Sequence, residues 1–262
     1  MLSGKLNPAF DATLLSRVED AGLNASAPPQ QRWVDGWLVR FSPGKAKRAR
    51  CINAVAEGRM PVEQRLRQCA ALFEQASLPL IVRITPFSLP THLDATLEAQ
   101  GLRRFDDTRV MALADLRADE PALPAGVAVT SLGLEAFAQR VGAFRESPLA
   151  QRQAHAERLL NSPVPYFAFE LRERGDVVAC GQIALEHDLV GLYDIYTAPH
   201  ARGRGLARLL CGCLLNQAVR RGARHAYLQV EADNHPARAA YQRVGFADGY
   251  AYHYRAADPA TA

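Results

Sequence analysis

A turn rich in glycine and arginine is the feature that most restricts how this 262-residue chain can fold. The turn, Ala201-Arg-Gly-Arg-Gly205, follows an apolar strand pattern over 190–197 and precedes a helix with one apolar stripe. A helix start leaves backbone N–H groups without partners and carries partial positive charge. Glycines let that backbone approach a ligand, and Arg202, Arg204 and Arg208 add formal charge. The pattern predicts a site for a phosphate or diphosphate group.

The order of elements around the turn predicts a crossover unit. A strand at 190–197, a helix over about 204–221 and a strand at 226–230 require two parallel strands joined through the helix. Ligands of such units lie outside the carboxyl ends of the strands. The glycine-rich turn is at that end, so the turn and the fold rule predict the anion at the same place.

A segment rich in proline, glycine and charge divides the chain nearly in half. Residues 118–126 have no periodicity and are predicted to be a linker. The chain exceeds the usual size of one domain, so we expect one domain at 1–117 and another at 127–262. The other elements predicted for the second half are a strand at 127–130, helices at 133–145 and 148–161, a hairpin over 167–186, a helix at 235–243 and a strand near 248–255.

The first half repeats part of this order. Helical spacing over 62–73 is followed by a strand at 80–86, a helix at 90–100 and a strand at 108–113. No glycine-rich turn precedes the first of these helices, because residues 54–61 hold one glycine and a proline. The first half is therefore predicted to be a duplicated fold that has lost its phosphate loop. Two unrelated α+β domains are the alternative.

Composition argues against several classes of function. The net charge is only +4 and, apart from a run at 45–50 that we assign to a strand end or loop, the basic residues are scattered, so no nucleic-acid partner is expected. No apolar run approaches the length that spans a membrane, and the first eight residues lack an apolar signal core. We therefore expect a cytoplasmic protein without a membrane partner.

Cysteine and histidine show no pattern of a metal site. The five cysteines form no paired framework, and two of them, Cys211 and Cys213, point to different faces of the predicted helix. We expect buried free thiols. The seven histidines show no ligand spacing on one element, so no metal is expected.

Two motifs carry a resemblance to a known family. Arg202-Gly-Arg-Gly-Leu-Ala207 matches Gln or Arg, two residues of any type, Gly, one of any type, then Gly or Ala. A second motif lies at 228–246 and includes Asn234 and Tyr241. Together they resemble the GNAT superfamily of acetyl-CoA-dependent N-acetyltransferases. The match is strong over 165–255 and weaker over 127–164, and the first half resembles the degenerate repeat of tandem GNAT proteins.

The resemblance implies a fold and a donor site. The fold would be α+β, with two GNAT-like mixed β-sheet domains that each have a central strand-helix-strand crossover. Backbone groups of one strand end would bond the pantetheine arm of acetyl-CoA, with a contact from Asn234, and Tyr241 would protonate the departing thiolate. The residues implied are Ile195, Tyr196 and Thr197 for the arm, and Arg202, Gly203, Arg204, Gly205, Leu206 and Ala207 for the pyrophosphate.

The general base is less evident. Several relatives carry a glutamate at the position that aligns with Gly191, where this chain has no carboxylate. Asp194 and Glu186 are the nearest alternatives, and water could relay the proton. A carboxylate inside an apolar strand is costly to bury without partners, so Asp194 is either catalytic or held by backbone amides or an arginine. Glu186 either acts as a base or simply ends its strand.

The resulting expectation is transfer of an acetyl group from acetyl-CoA to a primary amine, by direct attack in a ternary complex and without a metal. The acceptor would be a small molecule or a peptide, and the protein a monomer or homodimer. A non-catalytic module that binds CoA or acyl-CoA is the alternative. A Rossmann-type dinucleotide site is disfavoured because Arg208 stands where its third glycine belongs. Residues 144–162 are expected to shape the acceptor site.

Overall fold

The computed structural model describes residues 5–42 and 46–262. In chain order the helices and strands are α1 (Ala12–Ala25), β1 (Gln31–Val34), β2 (Trp37–Arg40), β3 (Ile52–Asn53), α2 (Val62–Gln75), β4 (Val82–Ile84), α3 (Leu93–Ala99), β5 (Arg103–Leu113), β6 (Val127–Leu132), α4 (Leu134–Phe144), α5 (Leu149–Leu160), β7 (Tyr166–Glu173), β8 (Asp176–Glu186), β9 (Leu189–Thr197), α6 (Leu206–Val219), β10 (His225–Glu231), α7 (His235–Gln242) and β11 (Ala247–Ala256).

The chain forms two compact units that interleave along the sequence. The first unit comprises Met1–Ala12, Ser26–Arg109 and Gly249–Ala262, and the second comprises Thr13–Ala25 and Val110–Asp248. The domain boundaries expected from the sequence, 1–117, 118–126 and 127–262, stay a prediction. Residues 1–4 and 43–45, which include part of the basic run, lie outside the described residues.

The first unit is built around a parallel crossover. Its strands follow the order β1-β2-β3-β4-β11, in which β3 and β4 are parallel and the other neighbours are antiparallel. Helix α2 connects the two parallel strands and packs its apolar stripe on the sheet. Of the two tryptophans in the chain, Trp37 is fully buried in this core and Trp33 on β1 is 64% exposed.

The second unit has a mixed sheet with helices on both faces. Its strands follow the order β10-β9-β8-β7-β6, with β9 and β10 parallel and the others antiparallel. On one face, which we call the α6 face, Ile183, Val190 and Leu228 pack with Leu210 and Leu214 of the crossover helix. The opposite face, the α4/α5 face, is covered by apolar residues of α4 and α5 and by the end of α1.

The predicted fold class is confirmed in both halves. Each unit is α+β and has a strand-helix-strand crossover, β3-α2-β4 in one and β9-α6-β10 in the other. The sequence did not predict helix α1 or the β1–β2 hairpin. The hairpin had a usable signal, because Asp35 and Gly36 form its turn with φ angles of 42° and 83°, which is the turn chemistry of an Asp-Gly pair.

Two further expectations concern cysteines and membranes. All five cysteines are free, and only Cys213 is not fully buried. Within 5–42 and 46–262, every helix is too short or too polar to cross a lipid bilayer.

Candidate active site

The parallel strands at the centre of the second unit part before they end. β9 and β10 are paired only over Leu189–Gly191 and His225–Tyr227, although β9 continues to Thr197 and β10 to Glu231. Backbone groups of β9 beyond Gly191 therefore have no β10 partner on that side. We call this gap the strand cleft. At its open end the hydroxyl of Thr197 is buried without a hydrogen-bond partner in the described chain.

The glycine-rich turn leads from the strand cleft into helix α6. Gly203 and Gly205 have φ angles of 77° and 78°, a region that L side chains rarely adopt. A Cβ on either glycine would meet no atom within 4 Å, so conformation and not crowding requires glycine here. Gly205 is the N-cap, and no side chain caps the helix. The first N–H groups of α6 are thus available to an anion.

Two arginines of the turn have protein partners. Arg202 donates from Nε to the carbonyl of Thr197 at 3.2 Å and from Nη2 to the hydroxyl of Tyr196 at 3.1 Å. Arg204 forms an ion pair with Glu173, and this hydrogen bond lowers the pKa of the Glu173 carboxyl. Both guanidinium groups thereby stay beside the start of α6, where they add positive charge.

A bulge in β9 changes the direction of its side chains. The pairing with β8 passes from Gln182–Tyr193 to Cys180–Tyr196, so two residues of β9 lie opposite Gly181. Asp194 has a φ of 51°, which is rare for a residue other than glycine. Ile195 turns to the α6 face, close to Gly181, whereas the side chain of Asp194 lies on the α4/α5 face.

Three side chains hold the carboxylate of Asp194. Arg145, which follows α4, donates to it at 2.8 Å, Gln182 of β8 donates at 2.8 Å, and Nε2 of His155 on α5 lies at 3.4 Å. Burial raises the pKa of Asp194, but the nearby His155 and the charges of Arg145 and Arg158 outweigh it and hold the pKa well below its usual range. Asp194 is therefore a weak base that joins the bulge to two helices.

Tyr241 lies on the α6 face. It packs edge-on against Phe246 and joins the apolar core of the second unit. Burial, followed by the nearby thiol of Cys211, raises the pKa of its phenol. The phenol therefore keeps its proton at neutral pH. Asn234 caps α7, accepting a hydrogen bond from the N–H of Ala237 at 3.2 Å, and its side-chain amide remains able to donate.

Two phenols fill the space above Gly191. A Cβ on Gly191 would lie 2.5 Å from Cε2 of Tyr193, 2.6 Å from Cζ of Tyr227 and 2.7 Å from the Tyr227 hydroxyl. The two hydroxyls are 2.9 Å apart and hydrogen-bonded. These rings therefore leave no room for a side chain at position 191.

Glu186 lies on the same face, at the hairpin between β8 and β9. Its Oε1 accepts a hydrogen bond from Asn24 of α1 at 2.8 Å. Its Oε2 is buried and has no hydrogen-bond partner in the described chain. A buried carboxylate oxygen without a partner is costly, so it marks a place where a donor is expected to arrive.

The predicted site residues therefore fall into two groups. The turn and the end of β9 lie together at the open end of the strand cleft, and Tyr241 lies on the α6 face. Asp194 and Glu186 lie on the α4/α5 face. Sequence reasoning did not find Gln182, His155 or the Tyr193–Tyr227 pair. Gln182, Tyr193 and Tyr227 alternate onto the face of the sheet that carries Asp194, which can be recognised only once the strand register is known, and His155 reaches Asp194 from helix α5.

The corresponding loop of the first unit has a different partner. Oδ2 of Asp35 accepts hydrogen bonds from the N–H groups of Arg59 and Met60, at 2.8 and 2.7 Å, just before α2. Arg65 of α2 lies 3.6 Å from the same oxygen. A carboxylate of the protein thus takes the N–H groups that a phosphate would use.

Metal ligation has no structural support in the residues that can be described. Within 5–42 and 46–262 no three side chains of His, Cys, Asp or Glu are grouped so that they could hold an ion.

Comparison with known proteins identifies the family. The model of the acetyltransferase (GNAT) family matches residues 134–246. The ribosomal protein bS18-alanine N-acetyltransferase of Escherichia coli is 31% identical over 108 residues, which are 41% of this chain and 68% of that protein. The chain belongs to the GNAT acetyltransferase family. The uncharacterised N-acetyltransferase YobR of Bacillus subtilis is 25% identical over 240 residues, 86% of this chain and 91% of that protein.

Solved structures of GNAT proteins share the fold of this chain beyond the region that the family model matches. A GCN5-related N-acetyltransferase from Kribbella flavida aligns with a TM-score of 0.69 at 18% identity, over 93% of this chain and 95% of that chain. A tandem GNAT protein from the clavulanic acid biosynthesis pathway aligns with a TM-score of 0.60 at 17% identity, over 75% of this chain and 70% of that chain. The second of these structures shows that a tandem GNAT protein shares the fold, which agrees with the tandem architecture predicted from the sequence.

The comparisons also decide between the two activities considered. The protein is an N-acetyltransferase, and GNAT enzymes transfer acetyl from acetyl-CoA to an amine. The comparisons give no support to a non-catalytic CoA-binding module.

Proposed function

We propose that the second unit transfers acetyl from acetyl-CoA to a primary amine by direct attack within a ternary complex. One observation carries the proposal: an uncapped helix start with two left-handed glycines lies at the point where two parallel strands have parted. Such an arrangement offers N–H groups for a pyrophosphate and open backbone for an extended arm. The bound thioester supplies an acyl carbon that an amine attacks.

The donor site uses the turn and the strand end. Backbone N–H groups from Gly203 to Ala207 bind the pyrophosphate, and the guanidinium groups of Arg202 and Arg204 add charge to it. Ile195, Tyr196 and Thr197 present backbone groups to the pantetheine arm, and the Thr197 hydroxyl gains a partner. Asn234 caps α7 through its oxygen and donates from its amide to the arm.

Tyr241 and the two carboxylates have separate roles in this proposal. The phenol of Tyr241, which keeps its proton, protonates the departing thiolate. Asp194 is a positioning residue, because its lowered pKa makes it a poor base and its three partners connect the bulge to α4 and α5. Glu186 remains the carboxylate able to take a proton on the acceptor side.

The acceptor is an amine of a small molecule or a peptide. It approaches from the α4/α5 face, since the donor site and Tyr241 take up the open end of the cleft and the α6 face. Arg145, at the end of α4, and the exposed Leu149 of α5 stand at the edge of that approach.

Two measurements test the proposal together. Calorimetry with acetyl-CoA should show binding to the intact protein, and a panel of primary amines should give acetyl-CoA-dependent release of free thiol. Peptides with a free amino terminus belong in the panel beside small amines. Absence of acetyl-CoA binding would overturn the proposed donor site, and binding without thiol release from any amine would overturn the transfer reaction.

A further inference from the structure

The acetyl transfer proposed above requires a path that takes one proton from the amine to Glu186. An attacking amine loses a proton as the carbon–nitrogen bond forms. On the α4/α5 face Gly191 brings no side chain, and Asp194 is held in ion pairs that make it a weak base. We propose that the hydroxyl pair of Tyr193 and Tyr227 carries this proton from the strand cleft to Glu186.

The pair lies where the reaction needs a proton acceptor. Tyr227 and Gly191 form the last pairing between β10 and β9, so the Tyr227 ring stands at the closed end of the strand cleft. Tyr193 is two residues after Gly191 on β9, on the same face of the sheet and directly before the bulge. The 2.9 Å contact between their hydroxyls is a normal hydrogen bond, and the two rings take up the space that a side chain at position 191 would need.

Glu186 provides the end of the path. Glu186 pairs with Leu189, two residues before Gly191, and Tyr227 pairs with Gly191 from the other side of β9, so both side chains lie on the α4/α5 face close to Gly191. After the larger effects of burial, Tyr193 and Tyr166, the charge of Glu186 also raises the pKa of Tyr227. One oxygen of Glu186 is occupied by Asn24 and the other is buried without a partner in the described chain. Because Oε2 of Glu186 forms no direct hydrogen bond with Tyr227, the proposed path passes between these two groups through one bridging water.

The surroundings favour a proton that passes through neutral phenols. Burial raises the pKa of Tyr227, so the pair hands a proton on without holding a negative charge. Burial and the charges of Glu19 and Glu186 raise the pKa of Asp20 on α1, so the far end of the path is acidic and attracts positive charge. The other titratable groups that face the pair are Tyr166 of β7, Asp194 of β9, and His155 and Arg158 of α5.

The step balances as a proton transfer without a redox change. The amine nitrogen forms a bond to the thioester carbonyl carbon while its N–H proton moves to Oη of Tyr193. Tyr193 gives its own proton to Tyr227, and Tyr227 gives its own through the water to the carboxylate of Glu186. The carbon–sulfur bond breaks, and Tyr241 protonates the thiolate. Glu186 then returns its proton to solvent, and Tyr241 regains one proton from solvent.

The test compares phenol variants that keep the aromatic rings. Tyr193→Phe, Tyr227→Phe and Glu186→Gln are measured with the amine that gives the wild-type protein its fastest thiol release, and kcat/KM is followed across pH. Tyr166→Phe is the matched control, because its ring packs against Tyr193 but its hydroxyl donates to the carbonyl of Ala25. Acetyl-CoA binding and thermal unfolding are recorded for every variant.

The relay predicts that the variants lose activity to an extent that depends on pH. The kcat/KM of the three variants should fall by about 10²-fold at neutral pH, and the loss should shrink as rising pH supplies hydroxide that can take the amine proton. Tyr166→Phe should follow the wild-type profile. A loss that is equal at every pH, or no loss in Tyr193→Phe, would overturn the relay. If wild-type protein releases no thiol with any amine, the transfer reaction fails and the relay with it, which separates the two results.

Discussion

Side chains on the two faces of the second unit's sheet differ in whether they can exchange a proton. Asp194 keeps its charge because three partners stabilise the ionised form. Tyr241 keeps its proton because its surroundings are apolar. A raised pKa keeps a phenol protonated at neutral pH, and a residue held in an ion pair serves to position its neighbours.

Replacement of Tyr241 tests its role as proton donor. Tyr241→Phe keeps the packing against Phe246 and removes the hydroxyl, so kcat should fall by about 10²-fold while acetyl-CoA binding changes little. Steady-state kinetics with calorimetry measures both. A fall in affinity that matches the fall in kcat would instead assign the hydroxyl to binding.

Gly191 tests how tightly the two phenols pack. Gly191→Ala puts a Cβ within 2.5–2.7 Å of Tyr193 and Tyr227, so we expect a loss of about 1–3 kcal/mol in the free energy of unfolding. Gly133→Ala is a suitable control, since its added Cβ meets nothing within 4 Å and its φ is −64°. Chemical denaturation measures the difference, and equal stability of the two variants would contradict the packing argument.

At the scale of elements, the start of α6 combines conformation and binding. Gly205→Ala forces a Cβ into the left-handed region and should cost about 1–2 kcal/mol of stability. Gly222, after the other end of the same helix, has a φ of 97° and equally open surroundings, so Gly222→Ala should cost a similar amount. Only the variant at Gly205 should lose affinity for acetyl-CoA in calorimetry. Loss of affinity in both would mean that helix stability, and not the turn, controls binding.

The bulge of β9 should make stability depend on pH. The pKa of Asp194 is lower in the folded protein than in the unfolded chain, where it is about 3.9, so the folded state binds fewer protons at this site. Its contribution is complete above that value and is lost as pH falls towards the folded pKa. We expect Asp194→Asn to cost about 1–2 kcal/mol at neutral pH, because Arg145 is partly exposed.

Denaturation of both proteins from about pH 6 to pH 2 measures this effect. The wild-type curve should fall more steeply and approach that of the variant at the acid end. A constant difference between the curves would show that the charge of Asp194 does not contribute.

Regular elements were predictable from the sequence where their periodicity is local. Helix α6 was expected at about 204–221 and is found at Leu206–Val219. It could be predicted because its apolar stripe and its glycine-rich start lie in one continuous stretch of sequence. The bulge at Asp194 was not predictable. Its side chain is held by Arg145, His155 and Gln182, which are distant in sequence. The local preferences of an aspartate in a strand do not indicate these partners.

The roles of site residues were likewise predictable where they depend on consecutive residues and not where they depend on residues distant in sequence. The turn at 202–207 could be proposed as a phosphate site because its chemistry is backbone chemistry. The Tyr193–Tyr227 pair could not, since it depends on which residue of β10 lies beside Gly191. A single sequence determines neither the pairing register of β9 with β10 nor which side chains pack against Gly191.

At the scale of the whole molecule, the two units share the chain in alternating pieces. The second unit needs Thr13–Ala25, and the first unit needs Gly249–Ala262. Within the second unit the Tyr166 hydroxyl donates to the carbonyl of Ala25 at 2.6 Å, and within the first unit β11 pairs with β4. Neither unit is therefore one continuous stretch of sequence.

Fragments test the domain boundaries that the sequence predicts. Residues 127–262 alone would lack α1 and would carry β11 without β4, so we expect this fragment to show no cooperative unfolding and no acetyl-CoA binding. Full-length chain cut within 118–124 should instead stay associated, because both pieces keep their partners. A 127–262 fragment that unfolds cooperatively and binds acetyl-CoA would show that the predicted boundaries define an independent domain.

Both tryptophans of the chain belong to the first unit, one buried and one exposed. Intrinsic emission excited at the red edge of the absorption band therefore reports on the first unit, whereas far-ultraviolet circular dichroism follows the helices of both. Because both tryptophans lie in the first unit, recording the two signals during one thermal scan tests whether the two units unfold cooperatively. Coincident curves would mean that the units melt as one, and an emission change that precedes or follows the dichroism change would give each unit its own midpoint.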